Sequence, residues 1–482
     1  MTNKPLKIIL GLVFLLILAG VAYWHFFLRG SRVGTTPESS NNGTGGFVPF
    51  GRNTTNTGGG QVNTGGGGNN NNTNGTSTIP GTRLKIPTLR LLSNTPVGGY
   101  GASTTLVRVI QVIQGDINSA IGSVGTSSAS SSASSSKSSK PKTVPVKTIP
   151  TTVVRWVDRG RGNIYEAHGD NLDVNTISNT VVPKIYESSW NKNLTAFIAL
   201  TMPDNSSEPS GVYAELKARI LPKVATSTTS SLTNQSSASN YELKGKSLPE
   251  HIIAYAVSPK KDRIFLFVNE SGTGIGYTAG FNGGSVTQLF TTPITQVNVE
   301  WPTDNTIAIT TKGSASERGY LYFVDAKTGV WKKILGPLPG LSTKVSTDAK
   351  YVLASVTGNS DNVLTSIYNV SAKKGTDAVI RTLADKCVWG NFYKEMVYCG
   401  VPSEQIKATY PDDWYKGIIS FIDKIWQVNA TTGEIHLVSS IVDTSDRVID
   451  AFNLGLDERD DFLFFMNKND LSLWSLDLVS GN

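Results

Sequence analysis

Across 482 residues the chain carries 44 Lys and Arg against 37 Asp and Glu, a net charge of +7. Residues 1–80 hold +4 of it (Lys4, Lys7, Arg29, Arg32 and Arg52 against Glu38), and Lys137, Lys140, Lys142 and Lys147 hold another +4, which leaves the remainder at −1. The body of the protein is therefore close to neutral and lacks the basic stripe that a nucleic-acid interface needs, so no nucleic-acid partner is expected.

Residues 8–28 form a run of 21 residues without a charge. At 1.5 Å per helical residue, such a run is long enough to cross a hydrocarbon core of ~30 Å. Lys4 and Lys7 precede it, Arg29 and Arg32 follow, and Tyr23, Trp24, Phe26 and Phe27 suit an aromatic belt at its outer end. Residues 1–30 read as an uncleaved transmembrane anchor. The alternative is a signal peptide cleaved near Leu18-Ala19-Gly20, and no lipobox Cys is present. Either way the rest is exported, and the expected location is the plasma membrane, single-pass, with the C-terminal part extracytoplasmic. Residues 31–80 are mainly Gly, Asn, Thr and Ser and cannot bury enough surface to fold. As a flexible coil of ~50 residues they would span about 40 Å, a tether.

From residue 81 onward the pattern is that of strands and turns. The apolar segment 84–92 comes first, then an irregular first unit from Pro96-Val97-Gly98-Gly99-Tyr100 through Val153 to Ile185. A Ser-rich insertion at 119–150 interrupts it, and a second, at 225–240, follows the turn Ser189-Trp190-Asn191; both read as disordered loops. The lysines of the first insertion, Lys137, Lys140, Lys142 and Lys147, either solubilise the loop or meet an anionic envelope polymer or lipid head groups. Beyond residue 258 the repeat becomes regular. The turns at Ser258-Pro259-Lys260, Trp301-Pro302-Thr303, Ser346-Thr347-Asp348 and Trp389-Gly390-Asn391 are spaced 43, 45 and 43 residues apart, and a further unit is placed at Leu454-Gly455-Leu456. Strands such as Arg263 to Phe267 and Thr306 to Thr310, rich in β-branched and aromatic residues, follow the turns. Asp325 to Gly329, Asn429 to Gly433 and Asp158 to Gly162 supply turns whose Gly takes φ > 0, read as closing the outer hairpin of a blade.

A period near 44 residues is that of a four-stranded propeller blade, whereas a β-sandwich gives turns every 8–12 residues and no such phase. The fold class expected is all-β: a β-propeller, with seven blades counted, over residues 81–482. The chain ends one strand short of a last blade, and residues 84–92 are placed to supply it, which removes exposed sheet edges.

Cys387 and Cys399 fall on the first two strands of one blade, symmetric about a turn centred at Tyr393, so antiparallel pairing sets them opposite each other. A disulfide suits an oxidising compartment; two buried thiols are the alternative. No metal site and no cofactor are expected, since only two Cys are present without a nearby His. His168, His251 and His436 stand singly, no nucleophile, metalloprotease or phosphate-loop motif occurs, and no catalytic residue is assigned. The candidate binding residues are Tyr410, Asp412, Asp413, Trp414 and Tyr415, in a loop inserted between two strands of the sixth blade, where aromatics interleaved with carboxylates suit glycans, peptides or cations. The alternative is that Trp414 and Tyr415 simply anchor the insertion. Loops 269–273, 311–318 and 358–362 are expected on the same face.

These turns and strands resemble WD40-like and TolB-like propeller repeats. More specifically, Val154 to Glu166, Ile185-Tyr186-Glu187, Cys387-Val388-Trp389 and Tyr398 to Pro402 resemble uncharacterised membrane-anchored propeller proteins of candidate-phylum bacteria. That resemblance implies one amino-terminal anchor and an extracytoplasmic propeller, and brings no activity with it. The separate amino-terminal α/β domain of TolB-like proteins is missing here, which sets this chain apart from a TolB role. The expected function is a protein-binding or scaffold module in a cell-envelope or surface-appendage assembly. The alternatives are a glycan- or peptidoglycan-acting enzyme, which would need two carboxylates about 5–10 Å apart in one cleft, and a purely structural surface protein.

Overall fold

The computed structural model describes residues 89–109, 147–169, 173–204, 209–219, 241–358 and 361–479. The anchor, the linker and residues 225–240 lie outside the described residues, as do 110–146; residues 147–150 open a strand, Lys147–Asp158. Among the described residues no helix is long and apolar enough to cross a membrane.

Seven four-stranded antiparallel sheets make a seven-bladed β-propeller. The innermost strands, in blade order, are Val97–Val109, Ile185–Trp190, Ile252–Val257, Val297–Thr303, Ser342–Val345, Cys387–Trp389 and Ala451–Leu456. The ring closes as the sequence implied: blade 7 takes its outermost strand, Leu89–Ser93, from the beginning of the described chain, paired Leu89↔Leu476, Arg90↔Ser475 and Leu91↔Trp474. Pairing the two ends of the ring satisfies backbone groups that an open edge would leave free.

Successive side chains of a strand point to opposite faces, and both faces of each inner sheet meet another blade, so these strands carry unbroken apolar runs. In Phe462–Asn467 every residue is buried. Ile264 and Leu266 pack toward blade 2, whereas Phe265 and Phe267, from the same strand, pack with Trp301 and Ile307 of blade 4. Each such side chain contributes about 1.5–3 kcal/mol of burial.

The first turn of a blade, between its innermost and second strands, has a recurrent chemistry. Ser258 Oγ accepts the N–H groups of Asp262 and Arg263; Asn191 Oδ1 those of Thr195 and Ala196; Asp457 Oδ1 those of Asp461 and Phe462; Ser346 Oγ that of Tyr351. Three residues after each acceptor the backbone turns left-handed, at Lys261, Leu194, Asp460 and Ala349. That pattern explains the polar residue leading the repeat.

Three placements differ from the sequence reading. Trp301-Pro302-Thr303 ends the innermost strand of blade 4, and the turn itself falls at Asp304 and Asn305. In blade 7 the turn is at residues 457–461, because Leu454 to Leu456 still belong to the innermost strand, whose register slips between Phe452 and Gly455. Asp158 to Gly162 joins the second and third strands of blade 1 instead of closing an outer hairpin. The same bonds, Arg161 N–H to Asp158 Oδ1 at 2.6 Å and Gly162 N–H to Asp158 O at 2.9 Å, close either kind of hairpin.

Cys387 and Cys399 sit opposite each other on the first two strands of blade 6 and form a disulfide.

Candidate functional site at the channel mouth

Residues 403–422 leave blade 6 after its second strand, Met396–Pro402, and return at its third, Asp423–Asn429. A one-turn helix, Asp412–Tyr415, carries four of the five residues singled out in the sequence. Tyr410 and Trp414 are buried with Val363, Leu383 and Phe421 in a small core beneath the insertion. Trp414 Nε1 donates to Asp450 Oδ2 at 2.9 Å, ahead of blade 7. Asp412 reaches the 311–318 loop of blade 4, accepting from Ser314 Oγ at 3.0 Å and the Ala315 N–H at 2.7 Å. Thr357 of blade 5 donates its hydroxyl to Tyr410 O at 2.6 Å. Asp413 accepts the Thr409 N–H at 2.8 Å, and the Tyr415 hydroxyl donates to Asp385 Oδ2 at 3.0 Å.

The five residues thus cluster, but their polar groups are engaged within the chain. They mount the insertion on blades 4, 5, 6 and 7. The side it turns outward bears Ile406, Ile418 and Ile422, with Ile418 67% exposed. Ile406, Ile418 and Ile422 are three of the exposed large apolar side chains of the described residues, and all three belong to this one insertion.

Beneath the insertion runs the central channel, a cavity of about 490 Å³, whose wall includes Trp414 together with Arg159, Glu187, Asn298, Glu300, Lys344 and Asp385. The innermost strands of blades 1, 2, 3, 4 and 7 slip register along this wall, between Val97 and Gly99, Ile185 and Glu187, Ile252 and Ala254, Glu300 and Thr303, and Phe452 and Gly455. Such bulges re-aim side chains. Tyr100 pins the last of them, its hydroxyl donating to Asn453 O at 2.6 Å.

Glu187 is open to channel water but ringed by protein, and this loss of bulk solvent pushes its carboxyl up to about 7. Burial also raises Glu300, with Lys344, 3.6 Å away, pulling in the opposite direction. Burial, with the charge of Asp385 adding to it, holds the Tyr415 phenol well above its ordinary range.

Sequence reasoning placed the insertion but missed Glu300, Lys344 and Asp385 as a ring. The available signal was a charged residue near the end of two innermost strands: Glu300 precedes Trp301-Pro302, and Lys344 stands two residues before Ser346.

Sheet topology alone defines the chain as a seven-bladed β-propeller. No protein-family model matches the sequence, and no curated protein matches it. Among solved structures the chain is similar to TolB from Acinetobacter baumannii, at 11% identity over 66% of this chain and 60% of that one, with a TM-score of 0.36. Oligogalacturonate lyase from Vibrio parahaemolyticus gives 10% identity over 69% and 87%, TM-score 0.43. Hydrazine synthase of Kuenenia stuttgartiensis gives 11% over 64% and 80%, TM-score 0.41. The chain spans less than two thirds of the TolB structure, and likenesses at this level carry no information about activity.

Proposed function

We propose that the protein is a membrane-tethered, extracytoplasmic β-propeller that binds a protein partner in a cell-envelope or surface-appendage assembly, with the outer side of the 403–422 insertion as its contact surface. The observation that carries this reading is the division of labour in that insertion: Tyr410, Trp414 and Phe421 go inward and hold it, while Ile406, Ile418 and Ile422 go outward. A loop fixed on four blades presents apolar groups without an ordering penalty on binding. The Cys387–Cys399 disulfide fits an oxidising compartment, and residues 8–28 with the 31–80 linker would supply the tether. The relation to membrane-anchored propellers of candidate-phylum bacteria belongs to the same reading.

The test is crosslinking on intact cells with the full-length protein and with an Ile418→Glu/Ile422→Glu variant. Recovery of one set of envelope proteins by the wild type, reduced at least tenfold by the variant, supports the proposal. Equal recovery by both removes the insertion as the contact surface.

A glycan- or peptidoglycan-acting enzyme is the second reading, and the channel lining favours it: Glu187, Glu300 and Asp385 share one cavity, and loss of bulk solvent raises the Glu187 carboxyl. Glycan cleavage abolished by Glu187→Gln would bring it forward; no cleavage by the wild type removes it.

A further inference from the structure

Under the insertion, at the junction of blades 6 and 7, lies a cluster that neither reading uses. Lys386, Asp423 and Asp450 are all completely buried. Lys386 Nζ donates to Asp423 Oδ2 at 2.7 Å and to Asp450 Oδ1. The rings of Trp414 and Phe421 close over the ammonium, with centroids 5.3 and 5.0 Å from Nζ. Two carboxylates facing one ammonium in a dry pocket leave one negative charge uncompensated, which favours retention of a proton on one of them. Burial moves Asp423 up to about 6, against the pull of the Lys386 ammonium and with a smaller push from the charge of Asp450. Its Oδ2 also accepts the Ala451 N–H at 2.6 Å, while its Oδ1 is buried without a partner.

Asp450 differs from Asp423 in its other oxygen. Asp450 Oδ2 accepts two N–H groups, Trp414 Nε1 at 2.9 Å and the Phe421 amide at 3.1 Å. Two fixed donors on one carboxyl oxygen, with an amine against the other and a proton-bearing acid touching the same amine, make a site for acyl transfer.

We propose that Lys386 and Asp450 join through a self-catalysed isopeptide bond, with Asp423 as the proton relay. In the first step a proton passes from the Lys386 ammonium to the Asp450 carboxylate by way of Asp423, which touches the same Nζ. The freed Nζ lone pair attacks Asp450 Cγ, and Oδ2 bears the developing charge between its two N–H donors. The Cγ–Oδ1 bond then breaks as the C–N bond is completed. Of the three ammonium hydrogens one stays on the amide and two leave with Oδ1 as a single water. Asp423 ends with the proton it began with, and nothing is oxidised or reduced. The product replaces a buried ion pair by a neutral amide. It ties the residue before the innermost strand of blade 6 to the residue before that of blade 7, beside the disulfide at Cys387.

The experiment is mass spectrometry of the purified full-length protein. The expected intact mass after reduction is about 18 Da below that of the sequence. Trypsin should fail to cleave after Lys386 and should release a branched peptide joining Lys386 to Asp450. In the size-matched variant Asp423→Asn the branched peptide should fall at least 100-fold. A wild-type protein of full mass, with linear peptides ending at Lys386 and spanning Asp450, overturns the proposal, and so does a branch at Asp423. The wild-type measurement decides the matter even if the variant fails to fold.

Discussion

The junction of blades 3 and 4 and that of blades 6 and 7 are solved by opposite chemistry. At the former, Phe265, Phe267, Phe290, Trp301 and Trp331 interlock, with Phe290 and Trp331 edge-to-face at 4.8 Å. At the latter, a buried lysine and two buried aspartates stand at the channel mouth, and Asp460 of blade 7 accepts three N–H groups, from Asn391, Phe392 and Tyr393 of blade 6. Apolar packing holds two blades together but tolerates many arrangements of similar volume. Charged hydrogen bonds accept one arrangement: the Lys386 cluster fixes it beneath the insertion, and Asp460 fixes it at the first turns of blades 6 and 7.

The sharpest way to break this contrast is a volume-conserving swap at each junction. Lys386→Met should cost about 3–5 kcal/mol in urea unfolding, because it removes the group that joins Asp423 to Asp450 and leaves the Asp450 carboxyl buried without its partner, whether that partner is an ion or an amide. Phe267→Leu should cost less than about 2 kcal/mol. Similar losses at the two sites would erase the distinction. Reducing Cys387–Cys399 should lower stability by about 2–3 kcal/mol, since the bond closes a short loop of 12 residues; a melting curve with and without reductant reads this. Asp460→Ala should cost about 1–3 kcal/mol, with the new exposure confined to residues 391–393, as hydrogen exchange would report.

How far these contacts were legible in the sequence differs between the two junctions. Blades 3 and 5 announce themselves because their first turns are built from local bonds, from Ser258 to residues 262 and 263 and from Ser346 to residue 351, whereas the first turn of blade 6 takes side-chain bonds from Asp460 of blade 7. Blade 7 was misplaced by two residues because the slipped register near Asn453 and Leu454 keeps Gly455 in the strand. Asp158 was given the wrong hairpin because an Asp and Gly turn closes any tight hairpin and does not record which strands it joins. Trp414 showed itself as a loop aromatic, but its partner Asp450 is 36 residues away and Lys386 lies 64 residues from Asp450. A lone lysine before a strand reads as surface, and only the fold reveals that it is enclosed. Nothing local marks Asp460 either, since the N–H groups it accepts belong to another blade.

The smallest expected effect concerns the channel. Glu187 has a native pKa above its unfolded value, so its contribution to stability is present below about pH 4.5 and is lost as pH rises through about 7. Glu187→Gln should therefore flatten the fall in melting temperature between pH 5 and 8. An unchanged slope would place the titrating group elsewhere in the channel.

The insertion presents its isoleucines only if it is a fixed platform, and residue-resolved hydrogen exchange at neutral pH tests that most directly. The Phe421 amide, bonded to the buried Asp450 carboxylate, should exchange as slowly as strand amides of blade 6, whereas the Gly272 amide, in the exposed 269–273 turn, should exchange rapidly. Exchange at Phe421 and across residues 410–416 as fast as at Gly272 would contradict the account: the insertion would then be a mobile loop, and its outward isoleucines would not form a prepared surface.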